Sequence, residues 1–98
     1  DLALMKPTAY LVNTSRGPIV DEEALASVLR NKSIAGAGLD VFSVEPLPAD
    51  HVFRALENTV ITPHLGYVEQ DNYRAYFEGY RAAIRGFLNG SPVNVING

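Results

Sequence analysis

Three residue types that together can carry out acid/base chemistry on a carboxylate-bearing substrate are spread along this chain as Arg16, Glu45 and His64. Each follows a short apolar run: Tyr10-Leu11-Val12, Leu39-Asp40-Val41-Phe42 and Val60-Ile61-Thr62-Pro63. Each therefore stands where a strand would stop and a turn begin. A guanidinium clamps a carboxylate, an imidazole exchanges protons near neutral pH, and a neighbouring carboxylate favours the protonated ring. In an open parallel sheet the carboxyl ends of the strands form one rim, and ligands bind in the crevice there. Taken singly, Arg16 before Gly17 also reads as a solvated loop charge, Glu45 before Pro46 as a surface carboxylate, and His64 between Pro63 and Leu65 as a satisfied loop histidine. Asp40 is different, because a carboxylate inside an apolar run needs donors if it is buried.

The elements that must position these residues follow from periodicity and breakers. Leu2 to Lys6 reads as a last helical turn stopped by Pro7. Ala9 to Asn13 is a short, nearly uniformly apolar strand, the pattern of a strand covered on both faces. Thr14-Ser15-Arg16-Gly17-Pro18 is the turn after it. Asp21 is the predicted N-cap of a helix with Glu22 and Glu23 in its first turn, an apolar face of Ala24, Leu25, Val28 and Leu29, and an end near Asn31-Lys32. A second strand is predicted over Ala35 to Val41, where Gly36 and Gly38 weaken the strand but let another backbone or a ligand come close. His51 to Leu56 is a helical turn, and Val60-Ile61-Thr62 the third strand. A long amphipathic helix runs from about Glu69 to Leu88, with Tyr73, Tyr76, Phe77, Tyr80, Ile84, Phe87 and Leu88 near helical spacing, and Gly90 stops it. Strands alternating with helices predict an α/β fold with a parallel sheet of about three short strands.

Ninety-eight residues allow at most one domain, and a hydrophobic fraction of 47% with 19% charged residues is that of an ordinary globular chain. A net charge of -3 with no basic cluster provides no footprint for nucleic acid or an anionic membrane surface. The absence of cysteine excludes disulfide scaffolds and thiolate zinc sites, and no metal site is expected. No stretch approaches the roughly 18 apolar residues of a membrane span, so the chain reads as soluble. It begins inside what reads as the end of a helix, which predicts that a longer protein extends upstream.

The joint pattern is more specific than its parts. The segment from Met5 to Leu25, with Asn13-Thr14-Ser15-Arg16-Gly17-Pro18 at its centre, resembles the long signature of the D-isomer-specific 2-hydroxyacid dehydrogenases. Ala35-Gly36-Ala37-Gly38-Leu39-Asp40-Val41-Phe42-Ser43-Val44-Glu45-Pro46 is similar to the second block of that family, Thr62-Pro63-His64-Leu65-Gly66 to its third, and Pro92-Val93-Asn94 to its usual ending. The resemblance implies that Arg16 binds the carboxylate and carbonyl oxygen of a 2-oxo acid, that His64 is the acid/base, and that Glu45 pairs with His64. It implies that Asp40 contacts the nicotinamide carboxamide, that Asn13, Thr14 and Ser15 approach the cofactor, the latter two mainly through backbone, and that Gly66 leaves room beside the nicotinamide. Formate dehydrogenases of similar fold carry Gln at the position of Glu45, which argues against formate oxidation. Tyr67 departs from the family pattern, where many relatives have a small residue.

No Gly-x-Gly-x-x-Gly followed by an acidic residue occurs in the chain, so the cradle for a dinucleotide pyrophosphate is missing from it. Residues 1–98 are therefore expected to form a single partial domain, the C-terminal portion of a Rossmann-like dinucleotide-binding domain. Residues 91–98 would return toward a substrate domain that the chain lacks. The implied parent is an NAD(P)-dependent enzyme, with NAD favoured over NADP, acting on a small 2-oxo or 2-hydroxy acid, cytoplasmic and homodimeric, and the 98 residues alone are expected to be inactive. The competing readings are a dehydrogenase-like scaffold used as a corepressor-type binding module without turnover, and a small α/β domain whose aromatic stripe from Tyr73 to Phe87 is core or contact surface. Missing neighbouring strands would favour self-association.

Overall fold

Three short strands, β1 (Tyr10–Asn13), β2 (Gly36–Leu39) and β3 (Thr59–Ile61), form one sheet in sequence order, and both pairings are parallel. Tyr10 lies opposite Gly36 and Asn13 opposite Leu39, while Ala37 faces Thr59 and Leu39 faces Ile61. That register ends all three strands at one level, and the pairing continues one step further through the Asp40 N–H to the Asn13 carbonyl and the Thr62 N–H to the Leu39 carbonyl. The loops after the strands, which carry Arg16, Glu45 and His64, thus leave from a common edge.

These elements belong to the first of two compact units, Asp1–Gly66, and the second begins at Tyr67. This computed structural model describes residues 1–97; the expected return segment is described only as far as Asn97, and Gly98 lies outside the described residues. Helix α1 (Glu22–Arg30) starts where Asp21 Oδ1 accepts from the Ala24 N–H at 3.0 Å, as its predicted cap position requires. It ends where Lys32 adopts a left-handed backbone (φ 53°) and the Ser33 N–H reaches back to the Val28 carbonyl. Its apolar stripe buries Leu25, Ala26 and Leu29 against Ile34, Ala37, Leu39, Phe42, Leu47 and Phe53. Burial of each large side chain in this cluster contributes about 1.5–3 kcal/mol.

Several expectations are modified. The terminal turn is a 3-10 helix over Leu2–Leu4, and the turn expected over His51 to Leu56 is a 3-10 helix over Val52–Arg54 that drives Phe53 into the core. Strand β2 is shorter than expected because the chain leaves the sheet before Val41, which becomes buried. The sheet is not covered on both faces: Leu11 packs on the core, whereas Tyr10, Val12 and Val60 are at least 70% exposed. Uniform apolarity in the first strand signals a need for cover, and α1 supplies it on one side only. Of the two glycines in β2, Gly36 is the one that close approach requires, since a Cβ there would lie 2.7 Å from the Asn58 carbonyl oxygen, while at Gly38 there is ordinary room.

In the second unit, α2 (Gln70–Leu88) agrees closely with the predicted span. Glu69 caps it by accepting from the Asp71 and Asn72 N–H groups at 3.0 and 2.9 Å, which holds its carboxyl below the usual glutamate value. Gly90, at φ 71°, ends it. The Phe77 and Tyr80 rings meet edge to face at 6.4 Å, and no residue of α2 is buried. Among the described residues no helix is long and apolar enough to cross a membrane.

Candidate active site

The loop after β1 is closed by its own strand-end residue. Asn13, itself buried, donates from Nδ2 to the Arg16 carbonyl at 2.9 Å, and its Oδ1 accepts the Ser15 N–H at 3.1 Å. Its amide is spent on shaping the turn that presents Thr14, Ser15 and Arg16, all exposed. Arg16 donates from Nη1 to the Ser15 carbonyl at 2.6 Å. Gly17 follows, buried, and a Cβ on it would run into the main chain of Phe42 and Ser43. Only a residue without a side chain lets the Arg16 turn press against the loop that leads to Glu45.

Glu45 is held at both ends of its carboxylate. Oε1 accepts the Phe42 N–H at 2.9 Å, and Oε2 lies 2.6 Å from His64 Nδ1. The bond from His64, then that from Phe42, together with the positive charges of His64 and Arg16, hold the Glu45 carboxyl below its usual value against a smaller opposing effect of desolvation. An ionised carboxylate can only accept. Nδ1 therefore carries the proton of this bond, and the ring is oriented with Nε2 directed away from Glu45. Both side chains are about one-third exposed, so the pair is reachable from solvent. Arg16 is brought within electrostatic reach of Glu45, and Glu45 into direct contact with His64.

His64 sits at φ 58°, a left-handed backbone that costs a residue with a Cβ roughly 1–2 kcal/mol. Around it, the need for donors at Asp40 is met. Asp40, 5% exposed at the end of β2, accepts on Oδ1 from the Thr62 hydroxyl and from the Leu65 N–H at 2.8 Å, and on Oδ2 from the Gly66 N–H at 2.8 Å. The Thr62 bond first, then those from Leu65 and Gly66 with the charge of His64, hold its carboxyl below the usual value despite desolvation. Gly66 lies beside it: a Cβ there would be 3.2 Å from Asp40 Oδ2 and 3.9 Å from the Thr14 Cβ. Thr14, Asp40 and Gly66 thus meet at one place, with bare glycine backbone among them. A carboxylate offers about four acceptor positions and three are used, so by count Asp40 retains one for an amide N–H. These residues fit the carboxamide end of a nicotinamide.

Next to the pair is a cavity of about 470 Å³, lined by Phe42, Pro46, Leu47, Ile61, Pro63 and Arg54 as well as by Glu45, Thr62 and His64. Several supporting residues carry little signal in the sequence. Arg54 holds the cavity wall by donating to the Pro48 and Leu47 carbonyls at 2.9 and 2.8 Å. Glu22, read from the sequence as a helix-dipole partner, also accepts the Ser43 N–H at 2.7 Å and so anchors the loop of Glu45 to α1. Thr62, which ends the third predicted strand and opens the Thr62-Pro63-His64-Leu65-Gly66 block, has no role assigned to it from the sequence. Among the described residues no cluster of three or more His, Cys, Asp or Glu could hold a metal ion.

Residues 1–66 match the family described as D-isomer specific 2-hydroxyacid dehydrogenase, NAD binding domain. The chain is 55% identical over 65 residues to glyoxylate/hydroxypyruvate reductase B of Enterobacter agglomerans, covering 66% of this chain and 20% of that protein. It is 42% identical over 98 residues to the glyoxylate reductase of Thermococcus litoralis, covering 99% of this chain and 29% of that protein. A crystal structure of a D-isomer specific 2-hydroxyacid dehydrogenase from Xanthobacter autotrophicus Py2, in complex with NADPH and MES, superposes with a TM-score of 0.74 at 41% identity over 95% of this chain and 38% of that one. The chain thus spans well under half the length of these relatives.

Proposed function

Because the chain belongs to the D-isomer specific 2-hydroxyacid dehydrogenases, we propose that it carries the acid/base half of an enzyme that reduces a small 2-oxo acid to the D-2-hydroxy acid with NADH or NADPH. The observation that carries this reading is the 2.6 Å contact between His64 Nδ1 and a Glu45 carboxylate whose other oxygen is fixed by the Phe42 N–H.

Arg16 binds the substrate carboxylate and polarises the carbonyl oxygen. Asp40, Thr14 and Gly66 would hold the carboxamide end of a nicotinamide, with Asn13 and the main chain of Thr14 and Ser15 nearby, and that group, when bound, would supply the hydride. His64, its Nδ1–H engaged by Glu45, gives the Nε2 proton to the oxygen as negative charge develops there. Glu45 keeps the ring in that orientation and balances the imidazolium charge. In oxidation Nε2 takes the hydroxyl proton back.

The same reading assigns residues 1–98 to the C-terminal portion of the dinucleotide-binding domain, with 91–98 leading toward a substrate domain, in a cytoplasmic homodimer. NAD is favoured over NADP. The full-length protein is to be assayed with glyoxylate, hydroxypyruvate and pyruvate and each reduced cofactor. Turnover that falls by about 10²–10⁴ in His64→Ala supports the proposal. Tight cofactor binding without turnover on any 2-oxo acid would favour a regulatory scaffold instead, and turnover by these 98 residues alone would overturn the partial-domain assignment.

A further inference from the structure

His64 carries a left-handed backbone on a residue with a side chain, which does not normally persist unaided, and its ring is bonded to Glu45 Oε2. The bonds that surround it converge on one carboxylate. Asp40 takes the Thr62 hydroxyl from two residues before His64, and the Leu65 and Gly66 N–H groups from the two residues after it. Asp40 is itself fixed, because its own N–H is bonded to the Asn13 carbonyl at 3.0 Å and the Thr62 N–H to the Leu39 carbonyl at 3.0 Å, so all three strands hold the grip in place.

From this arrangement we propose that Asp40 and Thr62 form a brace that positions His64: the buried carboxylate locks the left-handed turn and thereby sets the Nδ1–Glu45 bond. The inference rests on the acid/base reading of His64 and adds to it. Asp40 then does more than meet a cofactor. Without its acceptors the Leu65 and Gly66 amides lose their partners, the turn relaxes toward the right-handed region, and the ring swings off Glu45. Thr62 is the informative member, since its hydroxyl is bonded to Asp40 and the acid/base reading gives it no role of its own.

The test uses full-length Thr62→Val, Thr62→Ser and Asp40→Asn, reading kcat, KM, the pH profile of kcat/KM, the reduced-cofactor Kd and the downfield Nδ1–H proton resonance of His64. The brace predicts that Thr62→Val lowers kcat about tenfold, the equivalent of one hydrogen bond. It also predicts a shifted or broadened Nδ1–H resonance and an unchanged cofactor Kd, with Thr62→Ser restoring both readouts. Asp40→Asn, which sets an amide against the Leu65 and Gly66 donors, lowers kcat about 100-fold by misplacing the ring. If Asp40→Asn does not fold, the two Thr62 variants decide. The proposal is overturned if Thr62→Val leaves kcat, the pH profile and the Nδ1–H resonance as in the parent, or if every loss appears in the cofactor Kd alone. His64→Ala separates the two layers: a silent Thr62→Val beside an inactive His64→Ala refutes only the brace, whereas an active His64→Ala refutes the acid/base reading itself.

Discussion

Replacing Gly17 by alanine adds a single methyl group, yet its consequence reaches the chemistry. The three atoms nearest to that methyl are the Phe42 carbonyl carbon and oxygen and the Ser43 nitrogen, all main chain and all far inside the 3.4 Å at which ordinary contact begins. No rotamer change can relieve the overlap. One loop must retreat by more than about 1 Å, and overpacking of this kind costs about 1–3 kcal/mol. On one side of the contact is the Arg16 turn, closed by Asn13. On the other is the loop pinned by the Ser43 N–H to Glu22 and by the Phe42 N–H to Glu45. Whichever side yields, a guanidinium or a carboxylate moves by about 1 Å, a displacement that can cost about 100-fold in rate. Full-length Gly17→Ala, assayed for kcat/KM on the 2-oxo acid and for its urea midpoint, is expected to lose on both counts. A variant with kcat/KM within about threefold of the parent and an unchanged midpoint would show that the Phe42–Ser43 main chain does not confine the Arg16 turn at Gly17.

Two further outcomes follow from the packing and the charges. Phe53, 1% exposed and packed 6.5 Å from the Phe42 ring centroid, should cost about 3–5 kcal/mol on substitution by alanine, read by denaturant unfolding, and a loss under about 1 kcal/mol would mean the core is not where the structure puts it. Asp40, Glu45 and Glu69 all have carboxyls held below their usual values, so the unfolded chain binds more protons than the folded one over the range between the two values. Their stabilisation is complete above the ordinary glutamate value of 4.5 and is lost as pH falls through the lower folded values, so the thermal midpoint should be level from neutral pH to about 4.5 and decline below it, less steeply in Asp40→Asn. A midpoint that rises on acidification would contradict this.

The residues proposed to carry the chemistry could be picked out because each stands in the loop after a strand, and such loops can be read from short apolar runs followed by turn residues. Helix α2 was legible almost to the residue, since its aromatic spacing is helical and Glu69 and Gly90 mark its ends. The requirement for donors at Asp40 was legible too, but their identity was not. Thr62, Leu65 and Gly66 lie more than twenty positions away, and only the parallel pairing of β2 with β3 brings them to it. The same holds for Gly17: an Arg-Gly pair signals a turn, while the Phe42 main chain that excludes a side chain there is a tertiary fact. Apolarity in β1 misled about cover because it reports that a face wants burial, not which element supplies it. The early departure of Val41 from the sheet was invisible for a related reason, since a core residue and a strand residue look alike over so short a run.

The proposed acid/base chemistry requires Glu45 and His64 to act as one unit, and a double-mutant cycle in kcat/KM tests that directly. With Glu45→Gln, His64→Gln and the combined variant of the full-length protein, the double variant is expected to be no slower than His64→Gln alone, because Glu45 contributes only through the imidazole it holds. Losses that multiply, each substitution costing the same whether or not the other is present, would show that the two side chains act separately despite their 2.6 Å contact.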